Sequence, residues 1–238
     1  MAAVLSEQEA TEFLQCASAG IAVAACINSP SSVTISGDLP AIDELEAILK
    51  AEGKFGRKLR VQTAYHSHHM AVVAEDYRKS LEDIQILSPP KDARRMFSSV
   101  TGELISLSEL DGSYWVRNMV SPVGFDAVKT LLTHTAKIRG RRRAIEYTAA
   151  IEIGPHEALK GPLQQILTSI NPKLASSITY TSILRRGVDA QTAALEAAGV
   201  LWSRGVKIDL SAANQSPHEP SLKALSDLPA YKWNHTKG

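Results

Sequence analysis

The order of elements in the first 62 residues limits the chain to few folds. Ala2-Ala3-Val4-Leu5 is a short apolar run. Ser6 followed by Glu9 has the spacing of a capping box, in which each side chain satisfies the other residue's backbone N–H, so a helix is expected to run on to about Ser18. Gly20 stops it. Ile21 to Ile27 is apolar and β-prone, and Asn28-Ser29-Pro30-Ser31 is turn chemistry. Ser32 to Ser36 alternates, with Val33 and Ile35 on one face. After Gly37-Asp38, residues Pro40 to Ala51 place Ile42, Leu45, Ile48 and Leu49 on one helical face. Gly53 and Gly56 end that helix, and Lys58 to Gln62 reads as a strand. Strand, helix, strand, strand, helix, strand is the split-βαβ, ferredoxin-like pattern.

The remainder alternates differently. Met70 to about Leu87 is helical in pattern, and Ser88-Pro89-Pro90 breaks it. Met96 to Val100 reads as a strand, Tyr114 to Met119 as one or two helical turns, and Pro122 as the start of a longer helix reaching Ile138. Gly140-Arg141-Arg142-Arg143 reads as a solvated basic loop. Strands are expected at Ala149–Ile153, Ile178–Ile183 and Val206–Leu210, with helices at Glu157–Ile170 and Ala190–Arg204 between them. Such alternation suggests part of an open, mainly parallel sheet. The fold class is therefore α/β: a ferredoxin-like α+β small subdomain at 1–62, an incomplete α/β-hydrolase-like large subdomain at 63–211, and a polar, proline-bearing linker at 212–238.

Composition excludes some functions. An apolar content of 44% in 238 residues suits a globular protein with a proper core. A net charge of +1 lacks the basic surplus of a nucleic-acid binder. The longest apolar run, Ala19 to Ile27, is too short to cross a membrane. Glu7 and Glu9 sit where a secretory signal would be basic. Cys16 and Cys26 read as free thiols in a reducing compartment, so a cytoplasmic location is expected.

The chemistry concentrates in Val61-Gln62-Thr63-Ala64-Tyr65-His66-Ser67-His68-His69-Met70. Three histidines fall within four residues, between a β-rich run and a helical one. Imidazole titrates nearest neutrality and is the usual general base. A metal site of His66, His68 and His69 is disfavoured: the adjacent pair is expected to point to different sides, and no Asp follows nearby. The expectation is no metal, one catalytic histidine and two structural neighbours. A histidine base needs a nucleophile, and a group to orient its other nitrogen.

Several separated stretches resemble polyketide synthase acyltransferase domains. Ala25-Cys26-Ile27-Asn28-Ser29-Pro30-Ser31-Ser32-Val33-Thr34-Ile35-Ser36-Gly37-Asp38 is similar to their small-subdomain signature, and Thr63 to Met70 to their catalytic-histidine motif. Tyr114-Trp115, Asn118 and Pro122-Val123 with Phe125 match a third block. Glu152-Ile153-Gly154-Pro155-His156 with Leu159 and Gly161-Pro162 match a fourth. Leu228 to His235 resembles the linker that leaves such domains. The matches keep the family's order, and the histidine motif is most similar to that of fungal iterative synthases.

The resemblance implies a Ser–His mechanism. A serine takes malonyl from coenzyme A, and the phosphopantetheine thiol of an acyl carrier protein then accepts it. His66 is implied as the base, with Tyr65 and Thr63 beside the acyl group and His156 and Asn28 as candidates for holding the base. No bound cofactor is implied. The partners are the carrier protein domain and other synthase domains, with no nucleic acid and no membrane. No serine here has glycine two residues before and two after it, so the nucleophile elbow is absent from the chain. In the family the elbow and a carboxylate-binding arginine lie upstream of the small subdomain. The chain thus looks like the C-terminal portion of an acyltransferase, and a chain supplying the missing N-terminal half becomes a further partner. The alternatives are a non-catalytic fragment or complementing half, and, further off, a metal-dependent hydrolase.

Overall fold

The computed structural model describes residues 1–86, 95–138, 140–214 and 227–229. The strands are β1 (Ala2–Ala3), β2 (Ala22–Ser29), β3 (Ser32–Gly37), β4 (Gly56–Arg57), β5 (Met96–Phe97), β6 (Leu104–Ile105), β7 (Val123–Gly124), β8 (Thr135–Ile138), β9 (Arg141–Ala144), β10 (Ala149–Glu152) and β11 (Thr179–Ser182). The α-helices are α1 (Glu7–Leu14), α2 (Leu39–Ala51), α3 (Ala71–Ser80), α4 (Gly112–Val120), α5 (Val128–Thr133), α6 (Lys160–Ile170), α7 (Pro172–Ser177), α8 (Ala190–Ser203) and α9 (Leu210–Asn214).

Local chemistry accounts for the first elements. The Ser6 hydroxyl accepts from Glu9 N at 3.2 Å, and Glu9 Oε2 accepts from Ser6 N at 2.9 Å, which starts α1. On α2, Ala41, Ile42, Leu45 and Leu49 are buried, three and four residues apart. Ile42, Leu45 and Leu49 join Val33 and Ile35 of β3, with Met1, Ala3, Leu5, Ala10 and Phe13, in one core. Gly37 ends β3 because its backbone passes close to Ile21: a Cβ there would lie 2.2 Å from the Ile21 carbonyl oxygen.

The sheet order is β4-β1-β3-β2-β7. The first four strands are antiparallel neighbours in the expected ferredoxin-like order, with Ala2 opposite Thr34 and Arg57, and Ile27 opposite Val33. Two details differ from the sequence reading. The fourth strand is Gly56–Arg57 rather than Lys58–Gln62, because β1 offers only two residues to pair and Gly56 fits against Leu49, whose Cδ1 a Cβ would meet at 2.7 Å. The short β7 adds a fifth strand, parallel to β2 at Cys26–Val123 and Ile27–Gly124.

By contact the described residues form two compact units: those of 1–150 with 157–180, and those of 151–156 with 181–214. In the first, a smaller core gathers Leu163, Leu167 and Ile178 with partly buried Phe125, Val128 and Leu132 around them. The Ser29 hydroxyl, fully buried on β2, donates to Gln165 of α6. The helix expected from Pro122 to Ile138 is instead β7, a 3-10 turn, the short α5 and β8. Gly124 keeps the chain extended there, its N–H bonding Ser99 O at 2.7 Å. The arginine loop is β9, paired with β8 in a hairpin, its arginines exposed. Thr179 N bonds Thr148 O at 3.0 Å, and Ile183 N bonds Glu152 O at 3.1 Å. The equal step on β10 and β11 is that of a parallel pair.

In the second unit Asp189 caps α8 by accepting from Thr192 N at 2.9 Å, and Ala193, Ala197 and Leu201 are buried along it. The strand expected at Val206–Leu210 does not form: residues 206–209 are irregular and α9 begins at Leu210. Asp209 accepts from Ala212 N at 2.9 Å, the local capping bond that favours a helix start over a strand. The break expected at Ser88-Pro89-Pro90 and most of the linker lie outside the described residues.

Candidate active site

The histidines follow β4 on a loop that ends in a 3-10 turn, His68–Met70, from which α3 continues. Ser67 builds the junction. Its buried hydroxyl donates to Ala64 O at 2.6 Å and accepts from His69 N at 3.3 Å. His66, one residue before, has φ of +58°, and among the described residues it is the one non-glycine with positive φ. That conformation is sparsely populated and persists where neighbours over-determine it. The Ser67 bonds and a buried Met70 are such neighbours.

The twisted backbone aims the His66 ring at the end of α4. Its Nδ1 lies 3.1 Å from the carbonyl oxygen of Ser121. Ser121 closes α4 by donating its own N–H to Arg117 O at 2.8 Å, and its carbonyl is left to accept. A carbonyl only accepts, so Nδ1 carries the hydrogen and Nε2 of the neutral ring is the basic nitrogen. The His66 ring is thus oriented by a backbone carbonyl at a helix end, whereas His156 or Asn28 was expected from the sequence. The signal for that carbonyl was the helix stop before Pro122.

The other candidates are dispersed. Tyr65 is 59% exposed and does not pack beneath the loop. Thr63 lines a cavity of about 400 Å³ with Met1, Gly37, Leu59 and Val61, and Tyr65 is not part of that lining. Asn28 donates to Thr34 Oγ1 at 3.1 Å within the small sheet. His156 lies half-buried in the bend after β10, in the second unit.

The adjacent pair departs from expectation. His68 and His69 do not point to different sides. Their Nε2 atoms both reach Asp38 Oδ1, at 3.0 and 2.8 Å, and their ring centroids are 4.3 Å apart. Alternation belongs to strands; residues of a 3-10 turn are about 120° apart, and two long rings can converge. Asp38 begins α2, thirty residues earlier than His68, so no local spacing revealed it. Its Oδ2 accepts from Ile21 N at 2.8 Å. That N–H first, and then His69, hold the Asp38 carboxyl below the usual carboxylate range.

A family model for the acyl transferase domain matches residues 1–207, and the chain belongs to that family. The highly reducing polyketide synthase cnsI of Penicillium expansum is 47% identical over 99% of the chain, and alnA of Emericella nidulans 48% identical over all of it. The chain spans about 10% of the length of each of these relatives. The acyltransferase domain from the second module of the salinomycin polyketide synthase superposes with a TM-score of 0.70 at 28% identity, covering 91% of this chain and 46% of that one. A malonyl CoA-acyl carrier protein transacylase from Clostridium perfringens shares the fold, with a TM-score of 0.63 at 23% identity over 87% of this chain and 59% of that one. The mixed α/β fold is therefore that of polyketide synthase acyltransferase domains, and the family relation to fungal reducing synthases agrees with the histidine motif. No helix among the described residues is long and apolar enough to cross a membrane.

Proposed function

We propose that the chain is the histidine-bearing portion of an acyltransferase that moves malonyl from coenzyme A to the phosphopantetheine of an acyl carrier protein. The observation that carries this reading is the His66 ring held through Nδ1 by the Ser121 carbonyl, in a chain of the acyl transferase family. His66 Nε2 removes the hydroxyl proton of a serine as its Oγ attacks the thioester carbonyl. The C–S bond breaks, and the same nitrogen returns the proton to the departing thiolate. The carrier thiol repeats the sequence in reverse on the acyl-serine. No step calls on a metal or a bound cofactor.

The serine comes from outside this sequence, which has no Gly-x-Ser-x-Gly. The isolated chain therefore neither acylates itself nor transfers malonyl, and functions as one half of a split or longer acyltransferase within a set of synthase domains. In this reading residues 1–62 are the small subdomain, 63–211 the C-terminal part of the large one and 212–238 the linker. The Ser121 carbonyl stands behind the base, and Tyr65 with Thr63 borders the acyl group. Radiolabelled malonyl-coenzyme A followed by denaturing electrophoresis tests the reading. The chain alone should stay unlabelled, and a fusion to the serine-bearing half of a related domain should label. A stable label on one serine of the isolated chain overturns it.

A further inference from the structure

We propose that Asp38, His68 and His69 form a binding site for a divalent transition-metal cation of the zinc class. The site is separate from the transfer chemistry, and nothing in the function proposed above requires it. The three side chains come from the start of α2 and the turn before α3, and their ligand atoms all lie within 4.8 Å of one another.

The separations are hydrogen-bond distances, a few tenths of an ångström short of those between metal ligands. Zinc bonds of about 2.0–2.1 Å at a tetrahedral angle put neighbouring donor atoms roughly 3.3 Å apart. Here both Nε2 atoms stand 3.0 and 2.8 Å from Asp38 Oδ1. A cation is admitted by drawing the two rings back a little from the carboxylate. Two imidazoles and one carboxylate are a donor set that suits zinc, cobalt, nickel or copper, and suits magnesium or calcium poorly. Each neutral ring binds by moving its Nε2 hydrogen to Nδ1.

The carboxylate and the loop are positioned in advance. Asp38 Oδ2 is held by the Ile21 N–H at 2.8 Å, which fixes the direction of Oδ1. Ser67, bonded to Ala64 O and His69 N, sets the turn from which both rings project. The side chains are 30–46% exposed, so the cation has a path in and water completes its coordination. His66, the third histidine of the run, is turned away onto Ser121 and takes no part.

Titration of the full chain with Co²⁺, read by visible absorption, and with Zn²⁺, read by calorimetry, tests the proposal. Binding of one equivalent is expected. His68→Gln and His69→Gln should each weaken it about tenfold or more, and Asp38→Asn should do the same, while His134→Gln leaves it unchanged. Zn²⁺ should raise the melting temperature of the wild type and not of the His68→Gln/His69→Gln double variant. Both rings are exposed, so the single glutamine variants are expected to fold, and circular dichroism verifies that they do. Absence of saturable binding, or one-equivalent binding unaltered in both single variants, overturns the site and leaves only a hydrogen-bonded His–Asp clasp. Neither outcome bears on malonyl transfer.

Discussion

The small sheet with its two helices, and the loop that carries His66, put their buried atoms to different uses. In the first, ten buried apolar residues pack as one cluster, and α1 starts at a complete capping box. Its backbone is held by packing. In the loop, Tyr65, His68 and His69 are exposed, and the geometry rests on hydrogen bonds made by Ser67 and on those accepted by the Ser121 carbonyl and Asp38. A packed region resists change in proportion to the apolar area it buries. A hydrogen-bonded loop can hold a backbone at φ of +58° with little apolar burial, and so leave an imidazole open to a ligand. Stability and chemistry are thus separable along this chain.

The largest expected effect tests the loop. In a fusion that restores the serine, His66→Asn should lower acyl transfer by about 10²- to 10⁴-fold, or roughly 3–5 kcal/mol of barrier. Asparagine tolerates positive φ, so the melting temperature should hardly move. His68→Gln should retain transfer. If His66→Asn transfers normally while His68→Gln does not, the base has been placed on the wrong ring.

The next effect tests the packed side. Leu45 is fully buried in the centre of the cluster, and Leu45→Ala should cost ~2–5 kcal/mol, seen as a shift in the denaturant midpoint. Leu167 is equally enclosed, but most of the side chains around it are only partly buried. Leu167→Ala should fall at the low end of that range, about 2 kcal/mol, because its surroundings can close in. Equal losses at the two sites would mean that the smaller core is as tightly built as the larger.

A smaller effect returns to the loop. In the proposed function Tyr65 borders the acyl group, and its ring there would crowd an α-methyl. One methyl is worth about 1–3 kcal/mol of discrimination. Tyr65→Ser in the fusion should therefore relax malonyl over methylmalonyl preference by about 10- to 200-fold in competition assays. An unchanged ratio with activity intact would assign the choice to other residues.

The same contrast explains what could be read from the sequence. The capping box at Ser6 and Glu9, the alternation at Val33 and Ile35, and the stripe Ile42, Leu45, Leu49 are local patterns, and each forms the element it announces. The α/β class and the acyltransferase family were legible from such patterns together with the motif order. What escaped was set by distant partners. The fourth strand forms at Gly56 because β1 pairs there. Residues 122–138 became a strand, two short helical segments and a hairpin arm because β2 and β9 offered pairing. The convergence of His68 and His69 depends on Asp38, across a separation no motif spans.

The smallest effect is electrostatic and belongs to the packed side. Lys54 donates to Glu9 Oε1 at 2.7 Å and lies 5.0 Å from the centre of the Phe13 ring, tying α1 to the segment before β4. That lysine first, and then Ser6, pull the Glu9 carboxyl from its ordinary 4.5 to about 2. A folded-state value below the unfolded one means that the folded protein favours the carboxylate. The resulting stability is fully present above about pH 4.5 and is lost as pH falls towards about 2. Glu9→Gln keeps the capping geometry and removes the charge. Its melting temperature should lie slightly below that of the wild type at pH 7, because both partners are substantially solvent-exposed and the ion pair is screened. The gap should close on acidification through that window. A gap that persists unchanged at pH 2.5 would show that Glu9 acts through shape alone, and that the small sheet owes its stability to packing without this charge.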